Sequence, residues 1–153
     1  MMEMNISKHI TFEEATHTGT GIDNAPDIAQ VKSMMAIAEM VFEPLREKFG
    51  KPIPITSFFR SEAVNKAVGG AKTSQHTKGE AMDLNRPGFN AIIFDIIRNN
   101  LPFDQLIWEF GNSREPQWVH VSYKHDLPNR GQVLKSVKSN GKTTYVPYYE
   151  TKS

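Results

Sequence analysis

Apolar positions recur along the chain with two different periods, and each change of period marks a new element. Val31, Met34, Ala38, Val41, Phe42 and Leu45 return every three or four residues, which lines one face of an α-helix, and the run stops at Gly50. Pro44 lies inside this pattern. It removes one backbone hydrogen bond and its ring presses on the preceding turn, so a kink is expected near Met40. Ile92, Ile93, Ile96 and Ile97 predict a second amphipathic helix over residues 90–100, with Pro87 and Gly88 just ahead of it and Pro102 just beyond. Thr11 and Glu14 have the spacing of a capping box, with Ile10 as a staple residue, for a short helix that ends near Thr16. Another short helix is expected over residues 61–68, stopping at Gly69-Gly70.

Elsewhere the pattern alternates or breaks. Residues 18–27 are rich in Gly, Asn, Pro and Asp and read as a loop. Strands are expected over residues 51–59, whose prolines sit at the beginning, and over 104–110 and 117–122, joined by a polar turn. Val133-Leu134-Lys135-Ser136-Val137 and Thr143-Thr144-Tyr145-Val146 flank Asn140-Gly141, the strongest short-range hairpin signal. There is no internal repeat and no low-complexity segment. The order of elements predicts an α+β fold, a mostly antiparallel sheet packed with helices. One domain over residues 1–153 is expected, with a core at about 10–130 and a C-terminal hairpin at 131–148. Its 153 residues suffice to bury roughly two-thirds of the unfolded surface.

Composition narrows the function. Eighteen basic and 17 acidic residues leave a formal charge of +1 without a long like-charge run. Nucleic-acid binding by a basic face is therefore not expected, and a neutral or zwitterionic substrate fits better. The absence of cysteine removes disulfides, thiolate ligands and cysteine nucleophiles together, so any metal must sit on nitrogen and oxygen. Met1-Met2-Glu3-Met4-Asn5-Ile6 has no basic region followed by an apolar run, and no apolar stretch approaches the ~20 residues that span a bilayer. A soluble monomer with no signal peptide and no membrane insertion is the expectation.

The chemistry gathers in Ser74-Gln75-His76-Thr77-Lys78-Gly79-Glu80-Ala81-Met82-Asp83 and in Trp118-Val119-His120-Val121-Ser122. A catalytic zinc takes three ligands from His, Asp and Glu and keeps a fourth position for water, whose pKa falls to ~7. His76, Asp83 and His120 can supply those three. Gly79 lets the backbone fold back between His76 and Asp83, and strand alternation puts His120 on the face of Trp118 and Ser122. Taken singly, each has an ordinary reading: a strand histidine is more often a satisfied core or surface residue, and an aspartate beside a loop is more often a cap. His9, His17 and His125 lack a partnered motif and keep the ordinary reading.

Taken together, Ser-x-His-x-x-Gly-x-Ala-x-Asp followed by Trp-x-His-x-Ser resembles the M15 family of zinc peptidases. That family includes the D-Ala-D-Ala carboxypeptidases and phage endolysins, and its fold is shared with the hedgehog signalling domain. Ser57-Phe58-Phe59-Arg60-Ser61, Asn65-Lys66-Ala67-Val68-Gly69-Gly70, Asn24-Ala25-Pro26, Glu43-Pro44-Leu45-Arg46 and Phe103-Asp104-Gln105-Leu106-Ile107-Trp108-Glu109 extend the resemblance over about residues 10–130. It implies that His76, Asp83 and His120 bind Zn2+, and that Arg60 binds an anionic or carbonyl group of the substrate. Ser74 is implied to hydrogen-bond near the site, either to substrate or to shape the loop.

Two positions depart from the family pattern. Many members carry an acid or base three residues before the last histidine, where this chain has Gln117, which has no useful ionisation. Glu109 is favoured in its place, because a hairpin can set it near His120 and the apolar neighbours Trp108 and Phe110 can raise its pKa. Glu115 is expected to be solvated turn surface. Phe58 stands where this branch commonly has glycine, which implies a narrower or more apolar groove.

The resemblance implies a zinc-dependent peptidase, carboxypeptidase or endopeptidase, cleaving the peptide stems of bacterial peptidoglycan. A phage or prophage lysin, cytoplasmic until released to the cell wall, or a virion-associated enzyme fits that role. The alternative, favoured by Gln117, is a catalytically silent zinc-containing cell-wall-binding module. Metal-independent hydrolysis through Ser74 or Ser122 has no evident orienting group.

Overall fold

The computed structural model of the chain describes residues 4–149, and it opens with a small hairpin of β1 (Asn5–Ser7) and β2 (Ile10–Thr11). Helix α1 (Phe12–Ala15) follows with the expected capping box: Thr11 accepts from the Glu14 N–H while the Glu14 side chain accepts from the Thr11 N–H. The loop after it is held by Asn24, whose buried side chain donates to the carbonyls of Thr16 and Phe59 and accepts from the Ser61 N–H. Asp27 and Gln30 form a second capping box for α2 (Ile28–Ile37).

The proline inside the long helical pattern is absorbed by a change of helix type. A π-helical turn, Ala38–Phe42, separates α2 from α3 (Glu43–Phe49), and the Glu43 N–H donates to the carbonyl of Ala38, five residues back. Widening the turn by one residue gives the Pro44 ring room, so the kink expected near Met40 takes this form. Gly50 ends α3 in the left-handed conformation.

The strand expected over residues 51–59 is much shorter, β3 (Ile55–Ser57). Pro52 and Pro54 cannot donate to a ladder, and Phe58 and Phe59 turn into the core. Then come α4 (Glu62–Ala67), a 3-10 turn (Gln75–Lys78), β4 (Ala81–Leu84), α5 (Asn90–Asn100), β5 (Gln105–Glu109), β6 (Trp118–Ser122), β7 (Gln132–Ser139) and β8 (Lys142–Pro147). Asn140 and Gly141 both have positive φ, 53° and 76°, as a two-residue hairpin turn requires.

Six strands form one sheet in the order β3-β4-β6-β5-β7-β8, antiparallel except for the β5–β7 pair. One sheet face carries Met82, Leu84, Leu106, Trp108, Val119 and Val121 into the core, against Phe94 and Ile97 of α5 and Met34 and Ile37 of α2. Val133 and Tyr148 pack on this same core, so the C-terminal hairpin is bonded into the main sheet. The outer residues of the expected domain, 1–3 and 150–153, lie outside the described residues. Among the described residues no helix is long and apolar enough to cross a membrane.

Candidate functional site

The opposite face of the sheet floors an open cleft of about 730 Å³. Cross-strand register arranges its side chains in two neighbouring rows. One row runs Ser57, Asp83, His120, Ile107 and the other runs Trp118, Glu109, Ser136, Tyr145. Paired residues point to the same side of a sheet, so both rows face the cleft. His76 reaches the first row from the 3-10 turn above β4. That turn closes because Gly79 adopts φ +73° and because any Cβ there would stand 2.6 Å from the Gln30 carbonyl oxygen of α2.

His76, Asp83 and His120 meet at one point, with one ligand atom from each lying within 4.8 Å of the others. His76 Nδ1 is 2.7 Å from the Phe58 carbonyl oxygen. A carbonyl only accepts, so Nδ1 carries a proton, and Nε2 is turned to Asp83 Oδ2 at 3.3 Å. A cation, metal ion or proton, fits between this nitrogen and the carboxylate. His120 Nδ1 lies 3.0 Å from Asp83 Oδ1. These separations match the edge of a zinc tetrahedron, about 3.3 Å for Zn–N and Zn–O bonds of about 2.0–2.1 Å. The donor set, two imidazoles and a carboxylate with a backbone carbonyl orienting one ring, therefore fits zinc. Burial alone would raise the Asp83 carboxyl, but His76 first and then His120 hold it well below the usual carboxylate range.

Arg60 follows β3 and borders the same point. Its Nε donates to Ser57 at 3.0 Å, Nη1 to Asn65 Oδ1 at 3.2 Å and Nη2 to Asp83 Oδ2 at 3.4 Å. Three of its five N–H groups are thereby committed and two remain for the cleft. Ser74 lines the cleft and shapes the turn, its Oγ accepting from the His76 N–H at 3.2 Å.

Glu109 is buried at 6% exposure yet lines the cleft. Burial raises its pKa, and the hydrogen bond from Ser136 Oγ to Oε1, 2.7 Å, opposes that rise. The buried Trp118 indole N–H faces the Glu109 carboxylate and also opposes the rise, outside the geometry of a full hydrogen bond. Gln117 is exposed and does not line the cleft. Glu115 differs from the solvated surface expected of it: its carboxylate accepts from the Ala91 N–H at 2.8 Å and caps α5. The expected narrowing by Phe58 is also corrected, since that side chain is 2% exposed within the core and only its carbonyl serves the site. His9 is held by Glu43, and neither His17 nor His125 lines the cleft.

Ser57, Asn65, Ser136 and Tyr145 were not singled out as site residues from the sequence. Each is an ordinary polar residue, and only strand register or helix placement brings it to the site.

A family model described as Peptidase M15 matches residues 7–122, and no curated protein matches the chain. The matched segment contains Arg60, His76, Asp83, Glu109 and His120, and it spans more than half of the sequence. The chain therefore belongs to the Peptidase M15 family, and it carries a His-Asp-His cluster that could hold a metal ion.

Proposed function

We propose that this protein is a zinc-dependent peptidase that cleaves the peptide stems of bacterial peptidoglycan in the manner of an endolysin. The observation that carries the reading is the convergence of His76, Asp83 and His120 at the floor of an open cleft, with Glu109 one strand away. Zinc held by these three residues would polarise the scissile carbonyl and make water a stronger acid.

The chain's own groups supply the rest. Glu109 accepts a proton from the attacking water and returns it to the leaving amine, a role suited to a carboxylate whose pKa burial has raised above its ordinary value. Ser136 keeps that carboxylate pointed into the cleft. Arg60 offers its two uncommitted N–H groups to a carbonyl or carboxylate of the stem, and to negative charge developing near the scissile bond. Ser74 holds the turn that carries His76, and its hydroxyl proton is left to donate to a peptide in the cleft.

The silent binding module draws on Gln117, but that side chain lies outside the cleft and Glu109 lies inside it. Glu109→Gln decides between the two readings. The enzyme reading predicts that zinc content is kept while stem hydrolysis falls by at least about 100-fold. Wild-type protein that binds zinc and peptidoglycan but releases no peptide would favour the module.

A further inference from the structure

The family match ends at residue 122, yet the cleft does not. Beyond it, β7 adds to β5 in parallel and β8 adds to β7, extending the floor by two strands. The extension is fixed in register by the centre of the site. Ser136 is fully buried, its Oγ accepts from the Phe110 N–H at 3.1 Å, and its own proton goes to Glu109. A slip of the hairpin by one residue would carry Ser136 to the other face of the sheet and break both bonds.

Tyr145 sits directly across from Ser136 on β8, in the row that contains Glu109, and lines the cleft. It is 53% exposed, so its ring is not needed to fill the core. Burial first, and then the charges of Glu109 and Asp83, raise the phenol's pKa, so it remains a hydrogen-bond donor. Strands lie about 4.8 Å apart, which puts Tyr145 roughly 10 Å from Glu109, or about three residues of extended peptide at about 3.3 Å each. Arg60 stands at the opposite end of the cleft, beyond β4.

We propose that Tyr145 forms a remote subsite, contacting an extended peptide substrate about three residues from the bond that Glu109 addresses. The inference rests on the peptidase reading and deepens it. The cleft then takes an oligopeptide lying across the strands, with contacts on both sides of the metal cluster, and a dipeptide leaves the Tyr145 end empty. Binding at such a distance aids turnover only for substrates long enough to reach it.

The test uses the zinc-loaded full chain and a nested set of synthetic stem peptides, from pentapeptide to dipeptide. Hydrolysis is followed in Tyr145→Phe and Tyr145→Ala, and peptide affinity is read by calorimetry with Glu109→Gln as the background. For the longest peptide, loss of the phenol hydroxyl should raise KM and Kd about fivefold, and loss of the ring by more. The shortest cleaved peptide should change less than twofold, and the melting temperature should hold. An equal effect at every length, or no effect at any, overturns the subsite while leaving the peptidase intact. Failure of the peptidase reading looks different: wild-type protein would neither cleave nor bind any member of the set, and the subsite would fall with it.

Discussion

Replacing Gly79 by alanine tests how the site is built, because this one position both closes the turn between His76 and Asp83 and rests on α2. Two costs follow from the structure. A φ of +73° is strained for any L side chain, at about 1–2 kcal/mol. The added Cβ would also lie 2.6 Å from the Gln30 carbonyl oxygen and 2.8 Å from Met34 Cγ, well inside the normal contact of about 3.5 Å. Neither neighbour yields freely: Gln30 is fixed by its capping box and by a hydrogen bond to the Thr77 carbonyl, and Met34 is fully buried. Overpacking of this kind adds about 1–3 kcal/mol. The total, about 2–5 kcal/mol, corresponds to a fall in melting temperature of roughly 4–20 °C for a domain of this size.

Because the Gly79 N–H donates to the His76 carbonyl, relief of the clash should pull His76 away from Asp83. Zinc affinity should fall together with stability. Gly88→Ala is the control: its φ is +87° but its Cβ would meet nothing within 4 Å, so only the conformational cost applies and zinc affinity should not change. Calorimetric melting and zinc titration of both variants give the answer. Equal small losses in the two, with the zinc affinity of Gly79→Ala unaltered, would refute the argument that packing against α2 sets the ligand geometry.

Other predictions draw on the titrating groups. Asp104 has no exposure; burial would raise its pKa, but hydrogen bonds from Arg130 and the charges of Arg130 and Lys124 hold it below the usual range. A carboxyl whose pKa is lowered on folding stabilises the protein above its unfolded value of about 3.9, and that stability is lost as pH falls below about 4. Asp104→Asn should therefore lower the melting temperature at neutral pH and flatten its fall below pH 4, measured as melting against pH. Arg130→Ala, which removes the two guanidinium hydrogen bonds to this carboxylate and keeps the backbone one, should cost about 2 kcal/mol in urea unfolding. For Ser136→Ala, loss of the bond that lowers the Glu109 pKa should move the acidic limb of the pH–rate profile to higher pH, since the base works ionised. An unmoved limb would separate Glu109 from the rate.

What the sequence made legible was local. The capping box at Thr11, the α5 pattern and the Asn140-Gly141 turn each place their signal within a few residues, and all three appear as read. The His-Asp-His motif was legible because its residues are chemically distinctive, and strand alternation placed His120 on the correct face. Strand β4 was missed: four residues containing an aspartate carry no period, and they form a strand because β3 and β6 pair on either side. The hairpin was visible, but its parallel pairing to β5 was not. That pairing is a long-range choice, and it decides that Ser136 meets Glu109 and that Tyr145 enters the cleft. Glu115 and Phe58 were misjudged for a related reason, since only tertiary packing makes one a helix cap and the other a core residue. The fold itself is the α+β, mostly antiparallel arrangement expected of the hedgehog/DD-peptidase type.

The most direct test of the account is mass spectrometry of purified peptidoglycan digested by the protein, with zinc supplied and after chelation. New stem-peptide fragments should appear with zinc, vanish on chelation and return when zinc is restored, their termini naming the bond cleaved. Fragments that persist after thorough chelation, or an intact wall in the presence of zinc-loaded protein, would contradict it.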